Sequence, residues 1–189
     1  MTKTRLEAFS DGVIAIILTI MVLELKVPHE PTLAALAHLW PVYFAYALSF
    51  ANVFLMWLSH HEILEPVEST SYGVLGINGV LLFTMSLVPF ATAFAGESHW
   101  TAPVPVALYG LVMFTTSLAF VAFRIATGRQ SGDATVLARQ RREARITLFV
   151  GATFLVGVAV SPYEPRIALF LYAAVPVGRL AYRMSQGNW

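Results

Sequence analysis

The chain has 189 residues, 57% of them hydrophobic and 12% charged, about half the charged share of an ordinary soluble domain. Twelve Lys and Arg against eleven Asp and Glu leave a formal net charge of +1. Without a basic excess to hold a phosphate backbone, nucleic acid is excluded as a partner, and the apolar content excludes disorder. The absence of cysteine removes disulfides, thiolate metal sites and cysteine nucleophiles, and what remains is a small integral membrane protein.

A membrane-crossing helix needs about 20 mostly apolar residues. Six helices are predicted in chain order, over about 6–27, 34–59, 73–95, 104–125, 146–161 and 166–183. The first is charge-free only from Gly12 to Leu23, with Asp11 before it and Glu24 after it. Residues 31–61, 69–96 and 98–123 contain no Asp, Glu, Lys or Arg, and each supplies one span. Pro28 and Pro31, Glu65-Pro66, Gly96 to Pro103 and Ser161-Pro162-Tyr163 mark the breaks. Pro41, Pro89 and Pro176 fall inside apolar stretches, where membrane helices accept kinks. The fifth span begins at Ile146, and Ala134 to Arg145 is expected to run into it as a basic helix. The sixth is the weakest, extended by Arg166, Arg179 and Arg183 snorkelling at its ends. The expectation is an all-α chain forming one six-helix transmembrane domain over residues 1–189.

Ten of the twelve Lys and Arg fall on one side if the N-terminus is cytoplasmic, leaving only Lys26 and Arg166 outside. This bias predicts a cell-membrane protein with both termini inside. Trp40, Tyr43, Trp57, Tyr72, Trp100, Tyr163 and Tyr182 fall near predicted helix ends and are expected as interfacial anchors. The Arg139 to Arg145 cluster reads as topology with anionic-lipid contact rather than as a ligand site.

The first helix concentrates the chemistry. Asp11 costs about 2.5–3.5 kcal/mol at a helix centre in lipid, so it is expected to face protein or water. At 3.6 residues per turn Gly12, Ile16, Thr19 with Ile20, and Leu23 form one stripe. Two readings of it stand: small-residue helix packing through Gly12 and Thr19, or a pore lining. In the second, copies of Ile16, Ile20 and Leu23 form an apolar constriction that gates by dewetting, and Thr19 adds a ring of hydroxyls. Glu24, at the outer end of the stripe, is either a pore-mouth carboxylate ring or an interfacial partner of Lys26.

Arg5 with Phe9-Ser10-Asp11, the Ile16, Thr19 and Leu23 spacing, and Leu23-Glu24-Leu25 resemble the first helix of bacterial relatives of the lysosomal potassium channel called transmembrane protein 175. Trp57 with His60-His61, Asn78, the run from Leu87 to Ala93, and Ala107-Leu108-Tyr109 follow in the same order. The resemblance covers nearly the whole chain. It implies a six-helix subunit, four copies of which surround a pore lined by the first helix and selective for potassium. It places Ile16 at the narrowest ring, Thr19 at the polar ring, and Ile20 and Leu23 along the path. The family has no re-entrant filter loop, and Ser71 to Gly76 does not match the filter of ordinary potassium channels. The chain departs from the family at Glu62, where bacterial relatives often carry a basic residue, and in an acidic second loop.

Arg5, Ser10, Asp11, Trp57, His60, His61 and Asn78 are then expected to form a buried polar network tying the first helix to the next two. Each group is costly alone and satisfied in company. Asp11 with the His pair also offers a proton relay, which keeps a proton-coupled cation transporter as the alternative function. His60 and His61 are adjacent with no third ligand at useful spacing, so no metal is expected. No Ser-His-Asp arrangement supports an enzyme. The partners expected are potassium ions, membrane lipids and further copies of the chain, with no cofactor beyond the permeating potassium.

Overall fold

The computed structural model describes residues 2–185. Eight helices follow one another: α1 (Lys3–Leu23), α2 (Leu33–His38), α3 (Trp40–Leu64), α4 (Tyr72–Ser86), α5 (Val88–Glu97), α6 (Pro103–Gln130), α7 (Ala134–Val160) and α8 (Pro165–Ser185). Six stretches are long and apolar enough to cross a membrane, α4 and α5 together making one of them over Tyr72–Glu97.

The breaks have local causes. The predicted second helix is divided, because Thr32 caps a short α2 by accepting from the Ala35 amide and Pro41 sits in the first turn of α3, where a missing N–H costs nothing. The third span is likewise divided at Leu87, which caps α4 and precedes Val88-Pro89 at the start of α5. Thr84 and Ser86 bond back to the carbonyls of Leu81 and Phe83 just before this break. The basic segment and the fifth span are one unbroken helix, started by Asp133, whose carboxylate accepts from the Thr135 amide and hydroxyl at 2.7 Å. Those two bonds hold the Asp133 carboxyl below the usual carboxylate range. At 27 residues α7 is about 40 Å long against a hydrocarbon layer of about 30 Å, so its first turns stand outside the layer.

Helix α6 is the axis of the subunit. It packs along α7, its most extensive partner, and also against α4, α5 and α8. The α6–α7–α8 contact is close because Gly110 and Gly157 both lie against the Tyr172 ring, where a Cβ would collide with it. Tyr172 in turn donates to the Val106 carbonyl. Helix α1 packs on the other side, against α3, α4 and α5. Its start is held to the loop after α3 by the Thr2–Ser69 bridge and by Lys3, which donates to the Glu65 carbonyl.

Trp100 corrects one expectation. It is 1% exposed and serves the core, not the interface. After α5 the chain reverses through His99 (φ 53°) and Trp100 (φ 58°), two residues in the left-handed region that L side chains rarely adopt. The turn folds the indole inward, edge-on to Phe44 and Tyr109. Trp40, Tyr72 and Tyr163 are exposed.

Candidate functional site

Helix α1 has two faces of opposite character. Leu6, Ser10, Ile14, Ile17 and Met21 are buried in the subunit. Ile16, Ile20 and Leu23 are exposed, Leu23 at 77%, and Gly12 and Thr19 are exposed with them. At about 100° per residue the two sets lie on nearly opposite sides of the helix. A Cβ built on Gly12 meets nothing within 4 Å, so within the subunit this glycine is not a packing contact. Beside the stripe runs a groove of about 700 Å³ between α1 and α5, walled by Ile16, Ile20, Pro89, Phe90 and Phe94.

Thr19 carries the stripe's single hydroxyl, and its orientation is set by its own helix. Its Oγ1 donates to the Ala15 and Ile16 carbonyls, both at 3.0 Å. The proton is committed to the backbone, so the oxygen offers lone pairs to whatever lies on the exposed side. Such an oxygen suits a cation and not an anion.

Behind the stripe, polar side chains join α1 to its neighbours. Asn78 Nδ2 on α4 donates to Ser10 Oγ on α1 at 3.0 Å, and Asn78 Oδ1 faces His60 Nε2 on α3 at 2.9 Å. Because the amide nitrogen is used on Ser10, the imidazole is the donor in the second bond. His60 also stacks on Phe123 of α6, ring centroids 5.2 Å apart. All three hydrogen-bonding residues are buried. Separately, Trp57 Nε1 donates to Asp11 Oδ1 at 2.9 Å. Seven residues were grouped from sequence, and the structure resolves them into a buried Ser10–Asn78–His60 chain and a Trp57–Asp11 pair. Arg5 and His61 are exposed and join neither.

At the far end of α1, Lys26 pairs with Glu97 and not with Glu24, and this contact raises the Lys26 pKa. Glu24 and Glu97 both border the groove. Among the described residues no group of three or more His, Asp or Glu could hold a metal ion.

Two polar clusters were missed from sequence. Thr92 of α5 donates to Ser49 of α3 at 2.8 Å, and Ser49 to Tyr109 of α6 at 3.2 Å. At the other end Arg179 and Arg183 of α8 reach Ser59 and Glu62 of α3. The signal was present: Ser49, Ser59 and Thr92 stand in stretches free of charge, where a hydroxyl needs a partner.

The chain is similar in sequence and fold to known proteins. The family described as "Endosomal/lysosomal potassium channel TMEM175" matches residues 5–89, from the first turns of α1 into α5. A potassium channel of Chryseobacterium sp. is 40% identical over 176 residues, 93% of this chain and 91% of the relative. The crystal structure of a lysosomal potassium-selective channel TMEM175 homolog from Chamaesiphon minutus superposes with a TM-score of 0.84 at 28% identity, covering 99% of this chain and 98% of the other. The mouse endosomal/lysosomal proton channel TMEM175 is 32% identical over 115 residues, 52% of this chain and 23% of the relative.

Proposed function

The chain belongs to the TMEM175 family of membrane channels, and from that premise we propose that it is a potassium-preferring cation channel whose pore is lined by α1. It is a multi-pass membrane protein and not an enzyme. In the assembly we propose, four copies meet around one axis with the Gly12, Ile16, Thr19, Ile20 and Leu23 stripes facing inward. The orientation is N- and C-termini in the cytoplasm, following the Lys and Arg bias.

One observation carries the reading. Between Gly12 and Leu23 the face of α1 that the subunit leaves open is apolar except for a hydroxyl whose proton is turned onto its own backbone. A lipid-facing helix makes no use of that oxygen. A cation path does, because oxygen lone pairs replace part of the hydration shell as the ion passes. Ile16 then forms the narrowest ring and excludes water when closed, Ile20 and Leu23 continue the path, and Glu24 stands at the outer mouth, where a carboxylate ring concentrates cations. An apolar ring favours the ion that gives up water more cheaply, which is potassium over sodium.

The transporter alternative needs Asp11 and the His pair to exchange a proton. Asp11 is bonded to Trp57 while His60 is bonded to Asn78, and His61 is exposed outside both. Among the described residues no hydrogen-bonded link joins the groups that would have to relay.

The test is flux from potassium-loaded liposomes under bi-ionic potassium and sodium gradients. Wild type is expected to pass cations passively with potassium preferred, and Thr19→Ala to weaken that preference. Failure to pass cations without a proton gradient sinks the channel reading and turns attention to Asp11. Because the chain lacks cysteine, single-cysteine labelling reads the orientation directly: Ser131→Cys should resist an impermeant maleimide in intact cells.

A further inference from the structure

At the end of the subunit that carries the start of α1, the last turns of α3, α6 and α8 and the first half of α7 enclose a cavity of about 720 Å³. Five arginines line it, Arg124, Arg139, Arg142, Arg179 and Arg183, against two glutamates, Glu62 and Glu143. Like charges gathered this closely repel one another unless something between them is negative.

Three of these arginines have only neutral partners, Arg142 Nη2 donating to the Tyr182 hydroxyl at 3.4 Å. Arg124 is 2% exposed; its Nη1 donates to Gln140 Oε1 at 3.0 Å, and its Nε is buried with no hydrogen-bond partner. Arg179 Nη2 donates to the Ser59 hydroxyl at 2.7 Å. Glu62 is occupied by Arg183 at 2.6 Å. Among the described residues, no carboxylate lies within 4.0 Å of Arg124 or Arg179. Glu62 and Glu143 act on both only through space; a buried guanidinium without a direct ion pair is expensive, and a bound anion supplies the contact that the fold leaves out. The planar donor fork of arginine matches the paired oxygens of a phosphate.

The rest of the wall says which phosphate. Beyond the arginines the lining becomes Ile146, Phe149, Val150, Ala174 and Val175, and Phe149 opens outward at 75% exposure. A free anion gains nothing from that surface, whereas an acyl chain is continuous with it. Gly178 also lines the cavity, and a Cβ built there meets nothing within 4 Å, so the space is unfilled by the chain itself.

We propose that this cavity is a binding site for the phosphodiester headgroup of an anionic phospholipid, held by Arg124, Arg142 and Arg179, with one acyl chain lying along Phe149, Val150 and Val175. The leaflet is the cytoplasmic one, which rests on the orientation above; the binding itself does not depend on conduction. Basic pockets between membrane helices are suited to such headgroups.

The experiment uses the full-length protein, delipidated in detergent and titrated with phosphatidylglycerol or phosphatidylcholine, with bound lipid counted by native mass spectrometry. Phosphatidylglycerol is expected to bind about tenfold more tightly than phosphatidylcholine, and Arg142→Gln to lower its affinity by roughly tenfold, the loss of one charge-assisted hydrogen bond. Gly178→Phe fills the cavity while leaving every arginine in place, and should lower affinity for phosphatidylglycerol equally. A parallel arm adds millimolar inorganic phosphate or glycerol phosphate, which should displace little lipid. Equal retention of the two lipids, or phosphatidylglycerol binding that neither variant weakens, overturns the proposal. Tight binding of inorganic phosphate alone, lost in Arg142→Gln, overturns the lipid as occupant and assigns the cavity to a soluble anion.

Discussion

Helices α1 and α7 bury the same share of their membrane-length windows, 28% in each, yet the surfaces they leave open are different. From Leu148 onward the exposed residues of α7 are Leu148, Phe149, Ala152, Leu155, Val156 and Ala159, all apolar. The open face of α1 alternates Gly12, Ile16, Thr19, Ile20 and Leu23. Behind that stretch of α7 the packing is steric, with Gly157 against the ring of Tyr172 and Gly151 against Ser117. Behind α1 stand a hydrogen-bonded chain through Ser10, Asn78 and His60 and a tie from Asp11 to Trp57. Exposure in a membrane subunit therefore does not by itself mark a functional face. On the proposed reading, the polar atoms on it and directly behind it separate a surface made for lipid from one made for ions.

The largest expected effect breaks that comparison if it fails. Ile16→Asn on α1 should raise passive cation flux by roughly tenfold, as a barrier lowered by about 1.4 kcal/mol would, and should pull the potassium-to-sodium ratio toward unity in bi-ionic recordings. Phe149→Asn on α7 should leave both unchanged. Similar responses from the two variants would mean that α1 and α7 face the same medium.

Stability sharpens the same contrast. Gly157→Ala forces a methyl into the Tyr172 ring and should cost about 2 kcal/mol, a melting temperature lower by roughly 4–8 °C in detergent. Gly12→Ala, with open space around it, should leave the thermal melt of the subunit unharmed. Asn78→Ala removes the bridge between Ser10 and His60 and should cost about 1–2 kcal/mol, seen as an earlier melt with secondary structure intact by circular dichroism.

The smallest effect concerns the start of α7. Asp133→Ala removes an exposed cap, so the melt should shift only slightly. Since the folded state holds the Asp133 carboxyl below its ordinary value, the cap's contribution is present above about pH 4 and fades as pH falls through the folded pKa. A wild-type advantage that grows on acidification would contradict this assignment.

The membrane spans were readable because runs free of charge are long and proline-bounded, and α1 was singled out because Asp11 and Glu24 bracket so short an apolar stretch. Divisions inside spans were not readable. Pro41 and Pro89 looked like kinks within continuous helices, and only the structure shows each in the first turn of a new one. Pairing was harder still. Periodicity places Ser10, His60 and Asn78 on helix faces, but which residues meet depends on helix rotation and depth, quantities that no spacing along one chain contains. Arg5 and His61 fell on the wrong side of that boundary, and Trp100 was misassigned because two left-handed residues turn it inward. Arg124 and Arg179 looked like positive-inside topology, since burial is invisible to a count of charges.

The inward hydrogen bonds of Thr19 have a consequence for biogenesis. With that proton satisfied by Ala15 and Ile16 carbonyls, the open stripe of α1 offers the bilayer nothing that demands a partner. On the proposed reading a newly inserted subunit can rest in lipid as a monomer, the one hydroxyl proton of its open stripe settled on its own backbone. Insertion and folding are then complete before copies meet. Joining of copies in the assembly proposed above is then a separate step, expected to depend on subunit density in the membrane and to reverse on dilution into lipid.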